Sequence, residues 1–285
     1  MNMKMEKQKG MKRTEDDSPP SVQIKIVCPT CKTGNLSHKS SDEVFCSGCG
    51  ASYPVRNNVI DLLPGSPSLQ IPAAEPMEWG WMVRMYETRL WRRSILLNLF
   101  FGISFNKEYE IIVQAMNLTD GDTVLDLACG PGMYARPLAK KLHSRTVVGL
   151  DLSLPMLNYA AWKAQTEGLL NLLFIHGSAK DLPFSENQFD VINCCGALHL
   201  FPERDTVQGI FRVLKPGGRF TVATTRQLLP GRLGRKLYDY LYHHGWPKYF
   251  LREELESLLA QAGFTDVRCH LAKRYWHIMS AVKPE

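Results

Sequence analysis

The sequence predicts an α/β protein: a doubly wound, mostly parallel sheet with a ligand site at its C-terminal edge, preceded by a small module held by cysteines. Three observations carry this. The run Val124-Leu-Asp-Leu-Ala-Cys-Gly-Pro-Gly132 is a buried-strand pattern that leads straight into two closely spaced glycines. Val147 to Leu150 make a second buried strand ending in Asp151, roughly twenty residues after the first turn, which sets a carboxylate beside it at the edge where such sheets bind ligands. Four of the eight cysteines stand in two pairs near the front, at Cys28, Cys31, Cys46 and Cys49.

Taken in order, residues 1–22 are charged and polar and are expected to be disordered. A signal peptide would need an apolar stretch there, and no run of about 18 uncharged apolar residues occurs, so a soluble, cytoplasmic protein without a transmembrane segment is expected. Residues 23–64 hold the two Cys-x2-Cys knuckles, whose spacing suits one tetrahedral zinc ion; a disulfide pair is the rival that an intracellular compartment disfavours. The stretch from Ala51 to Pro64 reads as a hairpin turning at Asn57-Asn58. Residues 65–76 are a linker rich in proline and small residues. Residues 77–104 form a helical lid, one helix from Met77 to Phe101 closed by Gly102, with Arg84, Arg89, Arg92 and Arg93 interleaved among aromatics. It either packs on the sheet, burying Trp81, Tyr86 and Trp91, or presents Tyr86 to a substrate. Residues 105–285 form the main domain, with an aromatic and basic insertion over 226–251 as a second lid, then a helix from Glu253 to Ala262 and a closing hairpin. With 285 residues and 45% hydrophobic content, one large core and a satellite module fit, and a net charge of +6 neither requires nor excludes a nucleic-acid partner.

The glycine turn lacks the third glycine of a pyrophosphate cradle, since Tyr134 and Ala135 follow Gly132. Together with Gly177-Ser-Ala-Lys-Asp-Leu-Pro-Phe184, Phe189-Asp-Val-Ile-Asn-Cys-Cys-Gly196 and Val213-Leu-Lys-Pro-Gly-Gly-Arg-Phe220, it resembles the class I S-adenosylmethionine-dependent methyltransferases over residues 105 to 283, in the branch of the ubiquinone and menaquinone C-methyltransferases. The resemblance implies a seven-stranded doubly wound Rossmann-like sheet. The cysteine unit resembles the zinc ribbon of the small activator proteins that partner tRNA, rRNA and protein methyltransferases, and the zinc module of 23S rRNA guanine-N1 methyltransferases.

What the resemblance implies for the residues follows. Asp151, with Leu152 beside it, receives the ribose diol of S-adenosylmethionine; Ala128, Cys129, Gly130 and Gly132 pass under the methionine moiety; and Asp126 reaches its ammonium or pins the loop. The family commonly has an acid where this chain has Ser178, so the adenine amino group meets a hydroxyl and the Ala179 backbone, with Met156 as an apolar contact. Cys194 and Cys195 end the fourth strand of the sheet, where alternation allows only one of them to face the pocket. His199 is the nearby candidate for proton removal and Tyr86 the candidate on the lid. The favoured acceptor is a small aromatic, quinone-like or other apolar metabolite. Alternatives are an rRNA or tRNA base with the ribbon docking RNA, and a noncatalytic scaffold that only binds the cofactor. The zinc is structural, because four thiolates leave no open coordination position. Peripheral membrane contact is compatible with this pattern.

Overall fold

The computed structural model describes residues 24–65, 79–88, 91–142, 145–229, 231–244 and 246–285. The expected tail, nearly all of the linker, the helix start at Pro76 and Met77, and Arg89 lie outside the described residues. Four short antiparallel strands come first: β1 (Leu36–Ser40), β2 (Glu43–Cys46), β3 (Ser52–Arg56) and β4 (Val59–Asp61). Asn57 and Asn58 turn the last pair with φ of 53° and 66°, the double left-handed geometry that a two-residue hairpin needs and asparagine tolerates.

Where one helix was expected over Met77–Phe101, two are present, α1 (Gly80–Tyr86) and α2 (Ile95–Phe101). The break has a local cause. Thr88 Oγ1 donates to the Met85 carbonyl at 2.6 Å and Ser94 Oγ accepts from the Leu97 amide, so two hydroxyls end one helix and cap the next. Gly102 closes α2 at φ 74°, as expected. Tyr86 and Trp91 are half-buried, but Trp81, expected to pack inward, is exposed.

The main domain runs α3 (Phe105–Met116), β5 (Val124–Leu127), α4 (Ala135–Lys141), β6 (Val147–Asp151), α5 (Leu154–Thr166), β7 (Leu172–His176) and β8 (Phe189–Cys195). After a 3₁₀ turn at Leu198–Leu200 come α6 (Glu203–Val213), β9 (Leu214–Thr225), α7 (Gly231–His243), α8 (Arg252–Gln261), β10 (Thr265–Lys273) and β11 (Trp276–Val282). Its seven strands lie in the order β7-β6-β5-β8-β9-β11-β10, parallel through β9 and then closed by the antiparallel β11 and β10. The order reverses between β5 and β8, so both strands end at a crevice, the usual place for a ligand in such sheets. All four residues of β5 are buried, as expected of a strand covered on both faces.

The sheet does not stop at seven strands. β4 pairs in parallel with β7, placing Val59, Ile60 and Asp61 opposite Phe174, Ile175 and His176, which makes one sheet of eleven strands. Ile26 bridges Phe184, the Val27 amide donates to the Pro183 carbonyl, and Lys32 pairs with Asp181. Cys28, Val44, Cys46 and Tyr53 share one continuous apolar cluster with Phe184, Phe189 and Phe220. A segment this short has too little surface to bury for a core of its own, and fusion to the sheet edge supplies one.

Candidate active site

β5 delivers the chain into the glycine turn. Ala128, Gly130 and Gly132 have φ of 56°, 52° and 76°. A Cβ on Gly130 would meet nothing within 4 Å, whereas one on Gly132 would sit 3.3 Å from the Cβ of Ala160. The first glycine therefore leaves room for a ligand and the second lets α5 pack closely. Asp151 stands across the turn with both oxygens engaged: Oδ2 accepts from the Gly130 amide at 2.7 Å and Oδ1 from the Ser153 amide at 2.8 Å. The two amide bonds fix the direction in which the carboxylate points.

This acid lines a cleft of ≈ 910 Å³, counting the space at its open mouth. Of the residues anticipated, the cleft takes in Tyr86, Ala128, Gly130, Asp151, Leu152, Met156, Ser178, Ala179 and Cys195. Cys129, Gly132, Asp126, Cys194 and His199 do not line it. Cys194 is fully buried while Cys195 faces the cleft, as strand alternation requires, and burial pushes the Cys194 thiol well above its usual range. Sequence reasoning missed Pro131, Lys180, Gly196, Ala197, Leu200 and Phe201, whose only signal was their place just after strand ends.

Asp126 lies within β5, just before the glycine turn, and is 1% exposed. Its Oδ1 accepts from Asn193 Nδ2 at 2.8 Å, and its Oδ2 is buried with no partner. Desolvation raises its pKa to about 7, the Asn193 bond opposing the shift. Asn193 is itself held by Thr221 and Cys195, whose Oγ1 and Sγ approach its Oδ1 at 3.1 and 3.0 Å. A buried asparagine inside the apolar run of β8 was the signal for this network, and it went unread.

His199 is placed behind the wall. Its Nδ1 lies 3.1 Å from Thr224 Oγ1, and burial drives its pKa down to about 4, so the ring is neutral at ordinary pH. Its chain neighbours Ala197 and Leu200 face the cleft instead. On the lid side, Tyr86 borders the cleft with its phenol pKa raised by burial. Behind it Glu108, fully buried, is held by Arg92 Nη2 at 2.6 and 2.7 Å and by the Tyr134 hydroxyl at 2.6 Å. That trio ties the start of α2 to α3 and the glycine turn.

A separate cluster forms in the front module. The sulfurs of Cys28, Cys31, Cys46 and Cys49 all lie within 4.8 Å of one another, with 3.8 Å between Cys28 and Cys49 and 3.6 Å between Cys31 and Cys46. A tetrahedral ion with bonds of about 2.3 Å has ligand–ligand edges of about 3.8 Å, so the sulfurs already stand where zinc would hold them. The Gly34 and Gly48 amides lie 3.3 Å from the sulfurs of Cys31 and Cys46. Backbone amides of Thr33 and Gly34 pull the Cys31 thiol down to about 6, toward the thiolate that a metal needs.

Residues 124–218 match the family model described as a methyltransferase domain. The demethylmenaquinone methyltransferase of Geobacillus kaustophilus is 32% identical over 193 residues, covering 58% of this chain and 81% of that protein. The chain belongs to the class I S-adenosylmethionine-dependent methyltransferases, in their menaquinone-like branch. The demethylmenaquinone methyltransferase of Oceanobacillus iheyensis is 36% identical over 132 residues, and there the methyltransferase described here spans 46% of its own length and 55% of the relative's. Among solved structures, phosphoethanolamine N-methyltransferase 2 of Haemonchus contortus, in complex with S-adenosyl-L-methionine, superposes with a TM-score of 0.62 at 19% identity, over 78% of this chain and 61% of that one. Methyltransferase activity and the Rossmann-like methyltransferase fold thus stand as expected; the sheet is longer by the four ribbon strands. Among the described residues no helix is long and apolar enough to cross a membrane.

Proposed function

We propose that this methyltransferase transfers the methyl group of S-adenosylmethionine to a quinone-like or similarly apolar aromatic metabolite. The observation that carries the reading is a single cleft lined both by the glycine turn and Asp151 and by the apolar side chains of Leu200 and Phe201 with the Tyr86 ring. Donor and flat acceptor can therefore lie side by side. The names of the demethylmenaquinone methyltransferase relatives support the acceptor class.

When bound, S-adenosylmethionine supplies an electrophilic methyl on a sulfonium, which an acceptor nucleophile displaces in line, leaving S-adenosylhomocysteine and a proton. In our reading Asp151, aimed by the Gly130 and Ser153 amides, accepts from the ribose hydroxyls. Met156 and Ala179 flank the adenine, with Ser178 accepting from its amino group. Asp126 reaches the ammonium or pins the loop, and a positive charge beside it would restore the carboxylate's ordinary acidity. Alignment does most of the catalytic work, since a histidine held near pKa 4 is a weak base at neutral pH. Tyr86, which borders the cleft, is assigned to orienting the acceptor or taking its proton, and His199, expected from the sequence to take the proton, to positioning the cleft residues Ala197 and Leu200 beside it. The four-cysteine cluster is assigned a structural zinc ion, which fits its spacing and its amide-to-sulfur contacts.

Release of S-adenosylhomocysteine, followed with a prenylated naphthoquinol and with total RNA in parallel, tests the reading. Turnover confined to RNA would overturn it.

A further inference from the structure

The lids carry a surface that the cofactor site does not use. Helix α2 has no buried residue, and Ile95 and Leu96 are 78% and 76% exposed, with Leu99 and Phe100 beside them. Helix α7 buries only Gly234 and Tyr238; Leu233, 81% exposed, lines up with Leu237 and Tyr240 at spacings of four and seven, one stripe facing water. A chain of aromatic contacts links the two helices. Phe100 of α2 stacks on Tyr275 with ring centroids 4.6 Å apart, Tyr275 meets Tyr249 at 6.2 Å, and Tyr249 meets Tyr238 of α7 at 4.9 Å.

Charge borders this apolar band. Arg232 and Lys236 flank the α7 stripe on one side, Arg235 lies beyond them, and Lys273 and Arg274 project from the turn that touches Gly102 at the end of α2. All five are exposed, and none forms an ion pair among the described residues. Exposed leucine and phenylalanine at the centre, tyrosine and tryptophan at the margin and unpaired cations along the edge match an interfacial helix pair lying in an anionic lipid surface. Asp239, also exposed, is the one acid of α7, so the rim carries a net positive charge, and a protein partner would explain the apolar stripe but not this excess of cations.

We propose that α2 and α7 together form a docking face for an anionic bilayer. The band reaches the cleft: Phe101 packs on Trp276 at 4.4 Å, and a Cβ on Gly196, a cleft residue, would lie 3.8 Å from the same ring. Docking would thus set the cleft mouth at the membrane surface. This inference stands on the lid surface alone and does not depend on the acceptor class.

Co-sedimentation of the full chain with vesicles of phosphatidylcholine, and of phosphatidylcholine with phosphatidylglycerol, tests it, with S-adenosylmethionine titration as the check on folding. Expected is binding to the anionic vesicles at least tenfold tighter than to the neutral ones, weakening as salt rises. The variant Arg232→Gln/Arg235→Gln/Lys236→Gln should lose about a hundredfold, near fivefold per charge. Leu96→Glu/Leu233→Glu should lose at least tenfold, both variants keeping cofactor affinity. The proposal is overturned by vesicle binding that neither variant changes, or by no vesicle binding at all. It is equally overturned if Leu96→Glu/Leu233→Glu converts a dimer to a monomer with vesicle binding intact, or if the basic cluster binds RNA and ignores vesicles.

Discussion

Replacing Asp61 by alanine removes an acceptor that joins the front module to the cofactor edge. Asp61 ends β4, and its Oδ1 lies 2.6 Å from His176 Nδ1 on β7, with side-chain exposures of 15% and 9%. The other ring nitrogen lies 3.1 Å from the carbonyl of Leu152, the cleft residue next to Asp151. Both neighbours are acceptors, so the ring donates to at least one of them. The same Oδ1 accepts from the Leu63 amide at 3.1 Å. A hydrogen bond to a charged group contributes about 1.5–3 kcal/mol net, and the modest exposure of the pair favours the lower half of that range. For a chain of this size each kcal/mol shifts Tm by about 2–4 °C, so a fall of about 3–8 °C is expected. If half of the loss falls on the Leu152 loop, S-adenosylmethionine binds about four- to sevenfold more weakly, with Asp61→Asn in between because an amide oxygen still accepts. Calorimetric titration and thermal unfolding on the same samples give both numbers. A lowered Tm with unchanged cofactor affinity would refute the coupling and leave the pair as a staple between strands.

The other expectations are more direct. Metal analysis should find one zinc per chain, lost or greatly weakened in Cys46→Ser, and full retention would sink the four-thiolate assignment; because β4 is part of the main sheet, that variant should also lower the stability of the whole domain. Asp151→Ala should weaken S-adenosylmethionine binding by roughly tenfold or more, since two charge-assisted bonds to the ribose and the anchors of the glycine turn go together, and unchanged affinity would move the ribose site elsewhere. His199→Ala should keep cofactor affinity and lower turnover; full turnover across about pH 6–9 would leave alignment alone to carry the reaction. Asp126 has a folded pKa of about 7, above its unfolded value, so its ionisation costs stability that is absent at low pH and grows as pH rises from about 4 to about 7. Without cofactor, Asp126→Asn should therefore raise Tm more at pH 8 than at pH 5, and an equal change at both would contradict a desolvated carboxylate.

Local chemistry was legible in the sequence. The glycine turn, Asp151 and the two cysteine knuckles each depend on residues close together in the chain, whose spacing alone sets strand, turn and ligand geometry, and the structure places them as expected. Cys194 and Cys195 were separable by strand alternation for the same reason. The lid was misread as one helix because hydrophobic periodicity continues across Thr88 and Ser94, while the hydroxyl bonds that break it are a competition that periodicity does not register.

What only the tertiary structure decided involves partners far apart in the chain. Asn193 meets Asp126 across 67 positions, Asp61 meets His176 across 115, and Arg92, Glu108 and Tyr134 converge from three elements. Such pairs form because buried polar groups must find partners, and the identity of the partner follows from which strands lie side by side. The front module showed its four-cysteine cluster through spacing, but its place as the edge of an eleven-stranded sheet came from β4 completing the open edge of β7. An unpaired strand edge presents a row of backbone donors and acceptors to any compatible strand, and no composition or motif specifies which one will take them.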